Sequence, residues 1–210
     1  MNSLRFLEAF FLLGLVAVTG ARAERFIVDD VYGRNLVEFT SRATLETIVG
    51  ITNQVGGYIE VNPDDILDSP DCYIEVDLRS LKTGIEARDR KMREEFLEVD
   101  SFPKATFKLE GITKTGSRRL VDQREFEMVA SGVFFLHGIE RPVEISLRLT
   151  YVRESEVTRA RQPGDLLHLV ARFDILLSDF GIVIPHIALL KLDERQSITV
   201  DVFAFTASEN

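Results

Sequence analysis

The chain is poor in the residues that usually carry chemistry. A single cysteine, Cys72, excludes an intramolecular disulfide. Three histidines, at positions 137, 168 and 186, are too dispersed to suggest a metal-ligand cluster. There is no G-x-S-x-G nucleophile elbow, no H-E-x-x-H helix and no phosphate-cradling glycine loop, so no enzyme signature stands out. Positive charge is scarce as well. The 25 basic side chains face 34 acidic ones, and a net charge of −9 repels phosphate backbones, so nucleic acid is not an expected partner. No apolar run approaches the roughly 20 residues that a spanning helix needs. What remains is ordinary in amount: 45% hydrophobic and 28% charged residues over 210 positions, enough for one packed globular domain.

Residues 1–23 read as an address. A short start with Arg5 precedes an apolar run from Ala9 to Val18, and Ala21-Arg22-Ala23 supplies a small-x-small cleavage signal. The expectation is a secretory signal peptide followed by one domain over residues 24–210, located in the periplasm or secreted. In an oxidising compartment a lone cysteine leaves stability to burial, and Cys72 reads as a small apolar strand residue.

The rest of the chain is patterned in period two. Cys72, Ile74, Val76 and Leu78 alternate strictly with Tyr73, Glu75, Asp77 and Arg79, which predicts a strand with one wet face. Similar alternation runs through Leu45–Val61, Ala105–Leu109, Phe126–Leu136, Val143–Tyr151, Leu167–Leu177 and Ile198–Val202, with a shorter segment at Leu36–Ser41. Roughly eight strands, several of them long, with no helices to serve as crossovers, predict an all-β antiparallel fold. Strands of this length favour closure into an eight-stranded barrel over a sandwich.

Two stretches break the alternation. Thr83-Gly84-Ile85-Glu86 has the spacing of a capping box, and Ala87–Leu97 is rich in helix formers, which predicts one inserted α-helix. Its apolar stripe of Ile85, Met92 and Phe96 would lie against the barrel. Asp179–Lys191 contains Pro185 and reads as a loop or short helix closing one end. The segments Gly116–Asp122 and Glu154–Asp165 read as hairpin loops.

An eight-stranded barrel is either filled by its own side chains or just wide enough for one small ligand. The alternation leaves both open. The inward register collects Val49, Ile51, Ile74, Val76, Leu78, Phe107, Leu109, Phe126, Met128, Phe134, Ile145, Leu147, Phe173, Ile175 and Val200. It shows no buried ion or polar cluster, so anything that enters should be oily. Arg88 and Asp89, on the predicted helix, are placed either to meet a ligand head group at the mouth or to link the helix to the rim. His137 reads as a polar turn residue beside Gly138, His186 as a neighbour of the closing loop, and Asp64, Asp65 and Asp68 as solvated turn acids.

Several local patterns resemble the YceI-like family of exported bacterial proteins. Leu81-Lys82-Thr83-Gly84 with Arg88-Asp89 looks like the family's Thr-Gly turn and Arg-Asp helix. Phe102-Pro103-Lys104-Ala105-Thr106-Phe107 is similar to its proline-led start of a strand. The run Gly132–Val143, with His137-Gly138-Ile139 and Arg141-Pro142-Val143, resembles its strand, glycine turn and Pro-Val strand start. Phe180-Gly181-Ile182 looks like its aromatic-Gly-apolar signature. The motifs occur in consistent order over nearly the whole chain after residue 23. Tyr32-Gly33-Arg34-Asn35 departs from the histidine-serine pair common near the family's first strand.

The resemblance implies an extended lipocalin-like barrel with a helix inserted after Leu81, enclosing an apolar pore for an isoprenoid tail. The implied partner is a long-chain lipid, with no cofactor beyond a bound isoprenoid lipid or quinone. Two other readings stand beside it: a quinone-holding accessory of membrane electron transport with a redox partner, and a filled structural barrel that binds an envelope protein. A homodimer is compatible with all three.

Overall fold

The structure is a computed structural model, and it describes residues 23–43, 45–160, 162–184 and 192–206. The expected signal peptide, but for its last residue, and His186 lie outside the described residues. Among the described residues ten antiparallel strands form one sheet: β1 (Glu24–Ile27), β2 (Leu36–Ala43), β3 (Thr47–Thr52), β4 (Val55–Val61), β5 (Asp71–Asp77), β6 (Lys104–Thr115), β7 (Arg124–Leu136), β8 (Ile139–Val152), β9 (Leu166–Leu176) and β10 (Leu192–Thr206). Helix α1 (Glu86–Lys91) follows β5, and a four-residue helix α2 (Glu156–Arg159) sits in the β8–β9 connection.

Eight of the strands close a ring, in the order β1-β4-β5-β6-β7-β8-β9-β10, sealed where Phe26 and Ile27 of β1 pair with Thr206 and Phe205 of β10. The all-β barrel is therefore observed. The remaining two strands form the β2–β3 hairpin. It takes the same edge of β10 further along, from Leu192 to Asp201, and bridges through Ile51 to Lys82 after β5. One end of the ring is thus closed by β1 and the other by a hairpin. Between the two seals the free amide of Phe203 donates to the buried Asn35 Oδ1 at 2.8 Å, so the crossing loop satisfies the ladder that neither strand reaches.

Long strands with one apolar face and a tight turn explain the β7–β8 hairpin. His137 and Gly138 both have positive φ, 51° and 77°, as a two-residue hairpin turn with right-handed twist requires. A side chain at position 138 would also strike the Phe102 ring, 2.7 Å from its Cβ. The histidine holds the turn in place: its Nδ1 lies 3.0 Å from the Phe180 carbonyl and its ring packs edge-on to Phe102.

Three expectations are corrected. The alternation at Leu45–Val61 is two strands, and its phase slips by one residue at the Asn53–Gln54 turn. Ile48, Gly50 and Thr52 therefore face inward and Val49 and Ile51 face out, since a one-residue shift moves every side chain to the other face. The capping box does not form. The Thr83 amide and hydroxyl both donate to Asp89 instead, and the α-helix ends at Lys91, giving way to a wider turn over Met92–Phe96. The Glu154–Asp165 connection carries its own capping box at Ser155 and Thr158, which nucleates α2.

Candidate functional site

Alternating inward residues build two clusters along the barrel axis. The first surrounds the β1 seal: Phe26, Ile66, Tyr151, Leu167, Val202 and Ala204 are packed to near-zero exposure and, with Leu120 beside them, form a floor. Phe26 meets Tyr151 edge-on at 6.4 Å. The Tyr151 hydroxyl donates to Asp165, whose other carboxylate oxygen accepts the Glu154 amide at 2.7 Å and whose own amide donates to Thr206 at 2.8 Å. Burial and this carboxylate push the Tyr151 phenol well above its ordinary value. The loop after β4 finishes the floor. Its Ile66 amide donates to the Arg118 carbonyl, while Asp65 and Asp64 pair with Arg118 and Arg119. Those turn acids are ion-paired, and they do not form a carboxylate dyad.

The second cluster lies at the α1 end and is not filled. A cavity of about 600 Å³ runs from Ile66 at the floor, past Cys72 and Met128 of the first cluster, to the rim beneath α1. That volume falls in the range of about 300–1,000 Å³ typical of small-molecule sites. Aromatic rings shape it: Phe134 packs edge-on to Phe173 and to Phe180, at 5.3 and 5.7 Å. Two glycines make room for the wall. A Cβ at Gly50 would lie 2.0 Å from the Phe39 ring and one at Gly132 would lie 2.5 Å from the Phe107 ring, so each ring lies flat over bare backbone. Met92 and Phe96 of the α1 segment roof the cavity, as the apolar stripe predicted, whereas Ile85 stays exposed.

The charged residues at the rim are mostly committed to holding α1. Arg88 donates from Nε to the Thr83 hydroxyl at 2.7 Å and from Nη2 to the Thr83 carbonyl at 3.0 Å, and pairs with Glu46 at 3.2 Å. Arg93 donates to the Leu81 carbonyl at 2.9 Å. Asp89 is buried. Burial pushes its carboxyl up, but the two Thr83 hydrogen bonds, with Arg93 and Arg88 nearby, outweigh that and hold it below the ordinary carboxylate value. Cys72 lines the lower wall. Burial, with Asp71 beside it, pushes its thiol up to about 12, so it is an apolar wall residue and not a nucleophile at neutral pH. Among the described residues no three His, Cys, Asp or Glu side chains converge as a metal site would require.

Of the residues picked from the sequence, Ile74, Val76, Leu78, Phe107, Leu109, Met128, Phe134, Ile145, Leu147, Phe173, Ile175 and Val200 all line the cavity, and Arg88 borders it at the rim. Four do not. Val49 and Ile51 point outward after the phase slip, Phe126 packs against the floor cluster below the cavity, and Asp89 is turned toward Thr83. Sequence reasoning missed Phe39, Ile198, Leu97 and Ile182, although the alternation of β2 and β10 held the signal for the first two. It also missed that the inward register does carry polar residues, Ser41 and Gln196.

A closed antiparallel barrel with a packed floor and an apolar chamber defines a lipocalin-like barrel fold. The chain belongs to the YceI-like domain family, whose family model matches residues 32–204. Solved structures of similar fold include a polyisoprenoid-binding domain from Saccharophagus degradans implicated in plant cell wall breakdown, at TM-score 0.66 and 14% identity, covering 89% of this chain and 100% of that one. BcnA of Burkholderia cenocepacia matches at TM-score 0.65 and 13% identity over 84% and 99% of the two chains. A YceI protein of Campylobacter jejuni matches at TM-score 0.56 and 13% identity over 76% and 85%. No curated protein matches the chain.

Proposed function

We propose that this chain is a periplasmic, non-catalytic container for a long-chain isoprenoid or similar lipid, used for its transport or storage. The observation that carries the reading is the floored apolar cavity of about 600 Å³. At about 0.8 kcal/mol per buried methylene, some ten methylene equivalents removed from water supply roughly 8 kcal/mol before the cost of association, enough for a carrier without directional chemistry. Membership of the YceI-like family and the fold shared with a polyisoprenoid-binding domain support it. The open chamber weighs against the filled structural barrel.

The test is to purify the protein from its native envelope, extract it with organic solvent and weigh the extract by mass spectrometry. The expected result is roughly one long-chain lipid per barrel. Protein that is persistently empty overturns the proposal. An extract that absorbs in the near ultraviolet and responds to borohydride assigns the lipid to the quinones, and with it a role beside membrane electron transport.

A further inference from the structure

Among the described residues the apolar wall carries a buried cross-strand polar pair. Ser41 on β2 and Gln196 on β10 are direct register partners, both inward, both on the cavity wall, and only 3% and 5% exposed. Residues opposed in this way on one face have Cβ atoms about 4.5–5.5 Å apart. The Ser41 hydroxyl is buried and has no hydrogen-bond partner among the described residues. A hydroxyl left so costs stability, and natural folds seldom keep one without use. Gln196 is half engaged. Its Nε2 donates to the Asp193 carbonyl at 2.7 Å, across the irregular turn of β10 between Leu192 and Gln196. Because a carbonyl can only accept, that bond fixes the amide orientation and leaves Oε1 as an acceptor with no partner among the described residues.

We propose that Ser41 and Gln196 form the head-group subsite of the cavity and select an uncharged, hydroxyl-bearing isoprenoid. The Ser41 hydroxyl donates to the ligand oxygen, and the ligand hydroxyl donates to Gln196 Oε1. The tail then runs past Phe39 and Phe173 toward Met128 and Ile66 at the floor. An anionic head group does not fit here. The described cations on the cavity lining are engaged, Arg88 with Thr83 and Glu46 and Lys91 with Glu95, and the Glu46 carboxylate itself borders the cavity. A phosphate beside Ser41 would be an uncompensated charge against an apolar wall.

This inference rests on the lipid-container reading, and two probes with one C20 tail separate the two. Geranylgeraniol and geranylgeranyl diphosphate are titrated into the delipidated protein by calorimetry. The expected result is tighter binding of the alcohol. Ser41→Ala and Gln196→Met each weaken the alcohol about tenfold, the scale of one lost hydrogen bond to a buried partner, and leave the diphosphate unchanged. Ser41→Thr, which keeps the hydroxyl, retains the preference. In the empty protein Ser41→Ala also raises the melting temperature, because it removes an unsatisfied group, and that shift reports that the variant is folded. Tighter binding of the diphosphate, or variants that bind the alcohol like the parent, overturns the subsite and leaves the container intact. If neither probe binds, the subsite falls, and the solvent extraction decides the container.

Discussion

The two ends of the barrel are built from the same apolar alphabet and do opposite things. At the floor, Phe26, Leu167, Val202 and Ala204 have no exposure at all and leave no space, while at the α1 end Phe39, Phe107 and Phe173 remain partly accessible around a chamber. Composition does not separate them, since both are rich in Phe, Leu, Ile and Val. The difference lies in what seals each end. β1 closes the ring directly and is latched by the knot of Tyr151, Asp165 and Thr206. The other end is closed by a hairpin on one side and by a short helix on the other, tied to each other through Arg88 and Glu46. A strand that completes the ring brings the walls together, and a helix laid over a rim leaves the space beneath it unfilled.

This contrast predicts unequal responses to the same substitution. Phe26→Ala should cost about 3–5 kcal/mol, because it opens a void in a close-packed floor, and urea titration reads it directly. Tyr151→Phe should cost about 1–3 kcal/mol by leaving Oδ2 of the Asp165 carboxylate without its donor, again by urea titration. Phe173→Ala removes an equally large ring from a wall already facing space, so it should cost less than about 2 kcal/mol while the lipid recovered on extraction falls. Equal losses for Phe26 and Phe173 would abolish the distinction between floor and chamber.

The attachment of α1 should also be acid-sensitive. Asp89 is held below its ordinary value of 3.8 in the fold, so its contribution is complete above that value and lost as pH falls through the lower, folded value. Melting followed from about pH 6 to about pH 3 should show a decline that Asp89→Asn flattens, the variant having lost that contribution already at neutral pH. The smallest effect belongs to the outward face. Val49→Thr should change stability by no more than about 0.5 kcal/mol and leave lipid retention unaltered, which an inward Val49 would not permit.

The strands of the barrel were largely legible, because period-two burial is a local pattern written into β5, β7, β8 and β9. Twelve apolar positions chosen from it line the chamber as a consequence. The errors have separate physical origins. Val49 and Ile51 failed where a short turn changed the phase without a break in apolar content, so the flanking strands read as one continuous run. Phe126 failed because facing inward does not say at which height along the axis a residue sits. Thr83 and Glu86 have capping-box spacing, yet Thr83 bonds to Asp89, whose carboxylate is buried beside it. The turn at His137 and Gly138 and the packing of Met92 and Phe96 against the barrel were legible, since turn residues and the apolar stripe are written in neighbouring positions.

Residue order alone dictated an antiparallel barrel with an oily interior, because which face of a strand avoids water is settled residue by residue. Whether that interior was solid or hollow was decided only in three dimensions. It depends on which strand completes the ring at each end and on bare backbone at Gly50 and Gly132 under the Phe39 and Phe107 rings, contacts made across neighbouring strands that alternation does not encode. The unsatisfied hydroxyl of Ser41 beside Gln196 belongs to the same category. Two unremarkable polar residues 155 positions apart became a pair when β2 docked on the edge of β10.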